Sequence, residues 1–322
     1  MKTSLQITSA LMVLAFLAHS AMAWDGYGHM AVASVAYRKL DAKTRARADQ
    51  LLMLNPYFKD KWPALIPSGT SDADRTRLIF MLAATWPDAI KQDNSYHNDG
   101  SNNGDSPDGP NASQNTGYDD FNRHKYWHFV DTPFSQAGTD VSKMKVPVPD
   151  AQTQIAAFRA VLKSNSPDPL KSYDLVWLLH IVGDVHQPLH CSTRVSQAFP
   201  KGDTGGNDVP FCTAKAGKCD SNLHAFWDDI LGSGDSVTAP DKFAAGLVAP
   251  TVTAADIADA TKWIGASFML AQSSVYVDPP VDKGAPPFRA TTKYTTDAKA
   301  LAKKQVALAG ARLAKILQSE LK

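Results

Sequence analysis

The sequence predicts an all-α protein that folds as a single helical domain. In several segments apolar residues recur every three or four positions, which is the spacing of a helix face packed on a core. Residues 173–185 are apolar almost throughout, which is typical of a buried helix. No segment shows the sustained alternation of apolar and polar residues that indicates a half-buried strand.

The helices are expected in a definite order along the chain. The first follows His29 and carries the apolar stripe Val32, Val35, Ala36 and Leu40. Further helices are expected at residues 42–54, 78–84, 151–162 and 173–185. The face formed by Ile257, Trp263, Ile264 and Phe268 predicts another. The last helix, residues 296–321, presents Leu301, Leu308, Leu313, Ile316 and Leu317.

Two long segments have the composition of loops. Residues 94–122 are rich in Asn, Asp, Gly and Ser, and residues 191–220 contain Gly202, Gly205 and Gly206. Loops of this length in a compact domain are often functional, and neither resembles a linker between domains. The first loop also carries Asn111-Ala112-Ser113, which is a glycan acceptor if the host is eukaryotic.

The N-terminus has the features of a cleavable secretory signal. Lys2 is the only charge in residues 1–23, an apolar run spans residues 10–18, and Ala21-Met22-Ala23 supplies a cleavage site. The alternative is an anchoring helix, but this run is too short to cross a bilayer, and no later segment is apolar enough. We therefore expect a mature domain of residues 24–322, beginning with Trp24, that is secreted or periplasmic and not inserted in a membrane.

The charge balance argues against general electrostatic binding of nucleic acid by the whole chain. Without Lys2, the chain carries 32 basic and 32 acidic residues. A neutral chain lacks the basic field that binds phosphates by releasing counterions. Any affinity for phosphate must therefore come from a local source, such as bound metal.

Three cysteines in an exported protein indicate one disulfide and one remaining thiol. Cys212 and Cys219 would close a short loop and are the preferred pair. Cys191 competes for either of them, and the sequence leaves this open.

The strongest local signal is a pair of His–Asp motifs at helical spacing. His180 and Asp184 stand four residues apart, as do His224 and Asp228, so each pair projects from one helix face. Imidazole nitrogen and carboxylate oxygen are ligands that suit zinc. One such pair often only forms a hydrogen bond, but two in an exported protein favour a zinc site.

The residues around the first pair extend this signal. Pro188 removes a backbone donor and should end the helix, which lets His190 turn back toward His180 and Asp184. His186 faces away on helical spacing, so we expect it to support the ligands or to lie on the surface.

His29, Asp88 and His128 are unremarkable singly: a surface histidine, a helix cap and a core histidine would explain them. In order and spacing, however, the chain resembles the zinc-dependent type I nucleases. These are single-strand-specific nucleases and 3′-nucleotidases of the mung bean nuclease type, related to zinc phospholipase C. The resemblance runs from Trp24 into the C-terminal helix. It rests on Trp24-x4-His29, Trp86-Pro87-Asp88, His128-Phe129-Val130-Asp131, His180-x3-Asp184-x5-His190 and His224-x3-Asp228.

This resemblance implies an all-α fold with three zinc ions in one cleft. The first zinc would be held by Asp88, His128, His180 and Asp184. The second would share Asp184 and be held by His29 and by the amino nitrogen and carbonyl oxygen of Trp24. The third would be held by His190, His224 and Asp228.

The terminal ligand connects zinc binding to export. A free α-amine has a pKa of about 7.7–8.0, so zinc can displace its proton at modest cost. Before cleavage the nitrogen of Trp24 is an amide and cannot bind metal. We therefore expect the protein to be inactive until the signal is removed.

The family resemblance also implies a mechanism that yields 5′-phosphorylated nucleotides. Two close zinc ions, joined through Asp184 and with Asp88 at the first, would lower the pKa of a shared water, and the third would neutralise phosphate charge. Lys91 stands where family members usually carry an arginine near the phosphate. Lysine keeps the charge without the planar two-pronged geometry, and the alternative is a solvated surface lysine.

Three further residues match substrate-contacting positions of the family. Phe129 would stack on a base and Asp131 would hydrogen-bond it, which requires an unpaired base and explains a preference for single strands. Asn207, in Gly205-Gly206-Asn207, would contact phosphate. The alternatives are a core role for Phe129 and a simple turn at Asn207.

Single-stranded DNA, RNA and nucleotides are the expected partners of a monomer. Two other functions stay open at this stage. A zinc phospholipase C would use the same metal cage, although the short spacing from Trp24 to His29 and the aspartate at position 228 resemble the nucleases. A non-catalytic zinc-binding protein would have closed coordination with no position for water.

Overall fold

The computed structural model describes residues 24–100, 104, 106, 107, 109, 112, 114–213, 219–234, 236–281 and 286–321. The expected signal and the glycan acceptor Asn111 lie outside the described residues.

Helices build the molecule, which confirms the all-α prediction. The first five are α1 (Gly26–Lys39), α2 (Ala42–Leu52), α3 (Lys61–Ala64), α4 (Asp72–Ala83) and α5 (Trp86–Ala89). Then follow α6 (Ala151–Lys163), α7 (Asp168–Asp184), α8 (Leu223–Asp228), α9 (Thr238–Ala245), α10 (Ala254–Ile257), α11 (Ala260–Leu270) and α12 (Thr292–Glu320). Single 3-10 turns occur at Gly117–Asp119, Lys125–His128 and Pro188–Cys191, and a π-turn occurs at Ala271–Val275.

Short strands are present where the sequence predicted none. β1 (Pro133–Phe134) pairs in parallel with β2 (Thr193–Arg194). β3 (Pro210–Cys212) lies between β4 (Ser221–Asn222), which is antiparallel to it, and β5 (Phe288–Arg289), which is parallel. Strands of two or three residues are too short to show alternation, so no sequence pattern could reveal them.

The helix boundaries differ from the prediction where polar or proline residues begin a helix. α4 starts at Asp72 because the Ser71 hydroxyl accepts a hydrogen bond from the Asp74 amide, while its first turns are too polar to show an apolar stripe. α7 starts five residues before the predicted boundary, with Pro169 in the first turn, where a missing amide hydrogen costs nothing.

The core centres on α7, which is buried from Lys171 to Asp184. α6 packs along α7, and α1 packs against α4, α9 and α12. A second, smaller apolar cluster brings the strands and the C-terminal helix together around Phe211, Trp227 and Tyr294. Within the part of the chain that the structure describes, no helix is both long and apolar enough to cross a membrane.

The approach of α12 to α1 depends on a glycine. A β-carbon built at Gly310 would lie 2.6 Å from the Val35 β-carbon and 2.8 Å from the Val32 carbonyl oxygen. The second contact involves backbone, which cannot rotate away. The two helices can therefore pack at this distance only because position 310 carries no side chain.

The long polar loop is closed at its base around a buried histidine. His97 and Phe121 share a backbone hydrogen bond of 2.9 Å. His124 lies between two buried carboxylates, with Nδ1 2.6 Å from Asp99 and Nε2 2.7 Å from Asp120. Burial alone would lower the pKa of His124, but these two carboxylates together hold it above 6.5. This cluster lies immediately before the 3-10 turn Lys125–His128.

Replacing Gly310 by alanine should lower the free energy of unfolding by about 1–3 kcal/mol, because the added methyl group overpacks the interface of α1 with α12. Gly265→Ala in α11 is the control, since a β-carbon there has no neighbour within 4 Å. That variant should be unchanged or gain up to about 1 kcal/mol from better helix propensity. Urea unfolding measures the free energy of unfolding of both variants. An equal loss of this free energy in the two variants would contradict close packing at Gly310.

Replacing His124 by glutamine should cost about 3 kcal/mol or more near pH 6, because two buried carboxylates lose their counter-charge. The pKa of His124 is raised in the folded state, so its contribution is complete below pH 6.5 and is lost as pH rises through the raised value. Urea unfolding of both proteins between pH 6 and 9 should therefore show a shrinking difference.

The exposed His97 provides the control for this experiment. The free energy of unfolding of His97→Gln should differ little from that of the unaltered protein across the same pH range. A difference for His124→Gln that stays constant with pH would show that the charge of the imidazolium contributes nothing.

Candidate metal centre

Residues from six separate segments converge on one buried region. α1 supplies His29, α5 supplies Asp88, and α7 supplies both His180 and Asp184. The 3-10 turns at 125–128 and 188–191 and helix α8 contribute the others. All of these side chains are buried: His29, Asp88, His128, His180, Asp184, His190, His224 and Asp228.

The first cluster surrounds Asp184 and contains most of these residues. Asp184 Oδ2 lies 3.1 Å from His128 Nδ1 and 3.3 Å from His180 Nε2, while Oδ1 lies 3.3 Å from His29 Nε2. Asp88 faces the same atoms, at 3.7 Å from His180 Nε2 and 3.8 Å from His29 Nε2. Two groups of three potential ligands can be drawn here, one of His29, Asp88 and His180 and one of His128, His180 and Asp184.

The second cluster contains the other three residues. His224 Nε2 lies 3.4 Å from Asp228 Oδ2 and 3.0 Å from His190 Nε2. His190 Nε2 lies 4.0 Å from Asp228 Oδ1. The turn after α7, which was predicted to direct His190 toward His180 and Asp184, places it instead in a third group that could hold a metal ion, with His224 and Asp228 of α8.

Backbone carbonyls determine which nitrogen of three histidines faces the centre. His180 Nδ1 lies 2.7 Å from the Ala84 oxygen, His190 Nδ1 lies 2.9 Å from the His128 oxygen, and His224 Nδ1 lies 2.7 Å from the Gly205 oxygen. A carbonyl can only accept, so each Nδ1 carries the hydrogen and donates it. In each neutral ring Nε2 is left with its lone pair directed inward.

These lone pairs lie too close together to be stable without a cation between them. His190 and His224 bring two acceptor nitrogens to 3.0 Å. Burial lowers the pKa of His224 to about 4 and that of His190 well below 6.5, so a proton does not stay between them at neutral pH. A metal ion that accepts both lone pairs would relieve the repulsion.

Buried polar atoms without a hydrogen-bond partner give a second test of whether these residues fit a metal ion. His29 Nε2, Asp88 Oδ2 and Asp184 Oδ1 are buried and have no hydrogen-bond partner among the described residues. A buried polar atom without a partner costs about 1–3 kcal/mol, more if charged. Imidazole nitrogen and carboxylate oxygen are zinc ligands, so the residues present fit that metal.

Lys91 belongs to this region and is not a solvated surface residue. Its side chain is only 3% exposed, and Nζ donates a 2.7 Å hydrogen bond to Asp88 Oδ1. The surface alternative is therefore wrong. The one-turn spacing from Asp88 on α5 aims the ammonium group back at that carboxylate.

The other residues that match substrate-contacting positions are each partly exposed. Phe129 and Asp131 are half-buried and follow His128 on the way to β1. Burial, helped by the charge of Asp203, raises the pKa of Asp131 to about 7. Asn207 is half-buried, and its side-chain amide donates a 2.8 Å hydrogen bond to the Thr204 carbonyl, as in a turn.

Trp24 links the N-terminal segment to α7. Its indole nitrogen donates a 3.1 Å hydrogen bond to the Gly183 carbonyl. A β-carbon at Gly183 would lie 3.1 Å from His29 Nδ1, and one at Gly28 would lie 2.6 Å from the Trp24 β-carbon. The backbone of Asp25 also donates to the carbonyl of Asp228, at 3.3 Å. The segment around Trp24 is thus held against both α7 and α8.

The surroundings of His186 and the pairing of the cysteines answer two further expectations. His186 is buried, donates to the Val182 carbonyl and accepts a 2.8 Å hydrogen bond from Arg312, so the surface option is wrong. The preferred disulfide between Cys212 and Cys219 is confirmed. Cys191, also within the described residues, is a buried free thiol.

One polar residue of the centre was missed by sequence reasoning. Gln187 is fully buried and its side chain contacts Asp228. Its position between His186 and Pro188 was the available signal, because an apolar residue would be expected in a turn that is buried throughout. The carbonyls of Ala84 and Gly205 carry no sequence signal, since every residue has one.

Comparison with known proteins agrees with this arrangement. A family model described as S1/P1 nuclease matches residues 24–322. Endonuclease 4 from Arabidopsis thaliana is 23% identical over 238 residues, which cover 69% of this chain and 59% of that protein. The chain thus spans less than two thirds of the length of this relative. Because the family model matches almost the whole chain, the protein belongs to the S1/P1 nuclease family.

Proposed function

We propose that the protein is an exported, zinc-dependent phosphodiesterase that hydrolyses single-stranded DNA and RNA. Its products carry a 5′-phosphate, and it also removes the 3′-phosphate from mononucleotides. Family membership supports nuclease activity, and the chemistry of the buried centre supports dependence on metal.

The contact between His190 and His224 carries this proposal. Two imidazole nitrogens face each other at 3.0 Å, each with its hydrogen directed to a carbonyl on the opposite side of the ring. Such a pair has no role in a merely structural core, where one ring would rotate to donate. It is suited to a cation, and histidine with carboxylate is a ligand set that suits zinc.

Three zinc ions account for the donor atoms of the two clusters. Asp88, His128, His180 and Asp184 would hold the first, and His190, His224 and Asp228 the third. The second would be held by Asp184, His29 and the backbone of Trp24. His29 also lies within reach of Asp88, at 3.8 Å, which is compatible with two ions sharing this cluster.

Bound zinc supplies the Lewis acidity that the reaction needs, by acidifying water and neutralising phosphate charge. The protein groups position the reactants. Asp184 directs its two oxygens to different histidines and so holds the first cluster together. Asp88 accepts a hydrogen bond from Lys91, which keeps one ammonium group beside the centre. That charge would approach a non-bridging phosphate oxygen.

Substrate would lie along the half-buried edge of the centre. Phe129 would stack on an unpaired base, and the Asp131 carboxyl would hydrogen-bond its edge, while Asn207 would contact phosphate. A duplex hides the base faces, so the stacking contact selects single strands. The chain itself is neutral after loss of the signal, so phosphate affinity would come from the metal ions and Lys91.

Export and activity would be connected through Trp24. Removal of residues 1–23 converts an amide into an α-amine that can bind zinc. The indole nitrogen of Trp24 donates a hydrogen bond to the Gly183 carbonyl. Gly183 precedes Asp184 in the chain, so Trp24 lies beside the first cluster. The protein would then acquire its second zinc only in the secreted or periplasmic form, as a monomer.

Purified protein beginning at Trp24 should release nucleotides from denatured DNA. Removal of zinc by a chelator should lower the rate at least about 100-fold, because several kcal/mol of transition-state stabilisation are lost. Re-addition of zinc should restore it. Duplex DNA is the control for strand selectivity. Absence of release with zinc still bound would contradict nuclease activity, and phospholipid would then be the substrate to test.

A variant with one alanine inserted before Trp24 should lose one equivalent of zinc and most of its activity, because position 24 then has no free amine. Zinc per protein is measured by atomic absorption beside the rate on denatured DNA. The matched control carries the extra alanine at the C-terminus. Full zinc content and full activity in the N-terminal variant would exclude the amine as a ligand.

A further inference from the structure

Gln187 connects the two clusters of the metal centre, although it offers no metal ligand itself. It lies three residues after Asp184 and three before His190, in the turn that leaves α7, and it is fully buried. Its backbone amide donates to the Asp184 carbonyl at 2.8 Å, and its carbonyl accepts from the His190 amide at 3.0 Å.

The side chain makes a further connection, to α8. Its oxygen Oε1 accepts a 2.6 Å hydrogen bond from the Leu189 amide, and Nε2 donates a 2.8 Å hydrogen bond to Asp228 Oδ1. The orientation of the amide is determined, since the Leu189 amide needs an acceptor and the Asp228 carboxylate needs a donor. A rotated amide would place two donors and two acceptors against each other.

Three hydrogen bonds of Gln187 therefore join it to residues of the centre, and the fourth, from the Leu189 amide, fixes its side chain within the turn. Gln187 thus sets two distances. One runs from the end of α7 to the turn that carries His190, and the other runs from that turn to α8. The bond to Asp228 Oδ1 also fixes the rotation of this carboxylate, so that Oδ2 faces His224 at 3.4 Å. The neutral amide achieves this without adding a charge beside Asp228.

We propose that Gln187 is a positioning residue that arranges His190 and Asp228 for the third zinc ion. This inference rests on the proposed function, since it takes the group of His190, His224 and Asp228 to be a zinc site. Outer hydrogen bonds to ligating carboxylates orient them, and their loss typically lowers metal affinity 10–100-fold.

Gln187→Met tests the proposal, because methionine has a similar length and no hydrogen-bonding side chain. Metal-free protein is titrated with zinc in the presence of a competing chromophoric chelator, which resolves the affinity of each equivalent. We expect one equivalent to weaken by about 10–100-fold and the other two to be unchanged.

The matched control is Gln305→Met in α12. Gln305 is also buried and donates to the backbone of the same turn, at the His186 carbonyl, but its side chain makes no hydrogen bond to a proposed ligand within the described residues. Its loss should leave all three zinc affinities unchanged. Thermal unfolding of the metal-free proteins records the structural cost of each substitution separately from its effect on zinc.

Gln187→Asn is the second variant, for the case that Gln187→Met does not fold. Asparagine keeps an amide but is one methylene shorter, so it cannot span Leu189 and Asp228 together, and the same equivalent should weaken. Unchanged affinities in a folded variant at position 187, or equal weakening in Gln305→Met, would overturn the proposal.

His224→Ala separates failure of this inference from failure of the proposed function. If His224→Ala binds as much zinc as the unaltered protein, this group is not a zinc site and the proposed function loses its basis. If His224→Ala loses one equivalent while both variants at Gln187 retain full affinity, only the positioning role is refuted.

Discussion

The structure depends on holding imidazole nitrogen lone pairs close together in a buried region. The carbonyls of Ala84, His128 and Gly205 each take the hydrogen of one imidazole, and burial prevents a second proton from binding. A metal ion that accepts these lone pairs would relieve the repulsion between them. If the centre holds metal as proposed, metal affinity and folding stability would be linked in this protein.

The helical framework explains how so many buried histidine and aspartate side chains can lie close together. α7 is buried along most of its length and presents His180 and Asp184 at its C-terminal end, where α1, α5 and α8 approach it. Close approach is possible because Gly183 leaves room for the ring of His29. Helices carry most of the candidate metal ligands, and two 3-10 turns supply the other two, His128 and His190.

The distribution of charge is consistent with a centre that attracts phosphate locally. Residues 24–322 contain equal numbers of basic and acidic residues, so they lack the net positive charge that binds polyanions in general. Lys91 is the charged donor within the first cluster, and its contact with Asp88 keeps it there. Recognition would then act at one phosphate and its neighbouring base, which suits an enzyme that does not read sequence.

Helix periodicity and the spacing of histidine and aspartate accounted for the fold class, most long helices and the pairs His180–Asp184 and His224–Asp228. These features are local, since residues three or four apart on a helix must share a face. Tertiary packing decided what local spacing cannot express: the short strands, the burial of Lys91 and His186, and the role of Gln187. It also decided the meeting of His190 with His224, because contacts between distant segments depend on how whole helices pack rather than on the residues beside them in the chain.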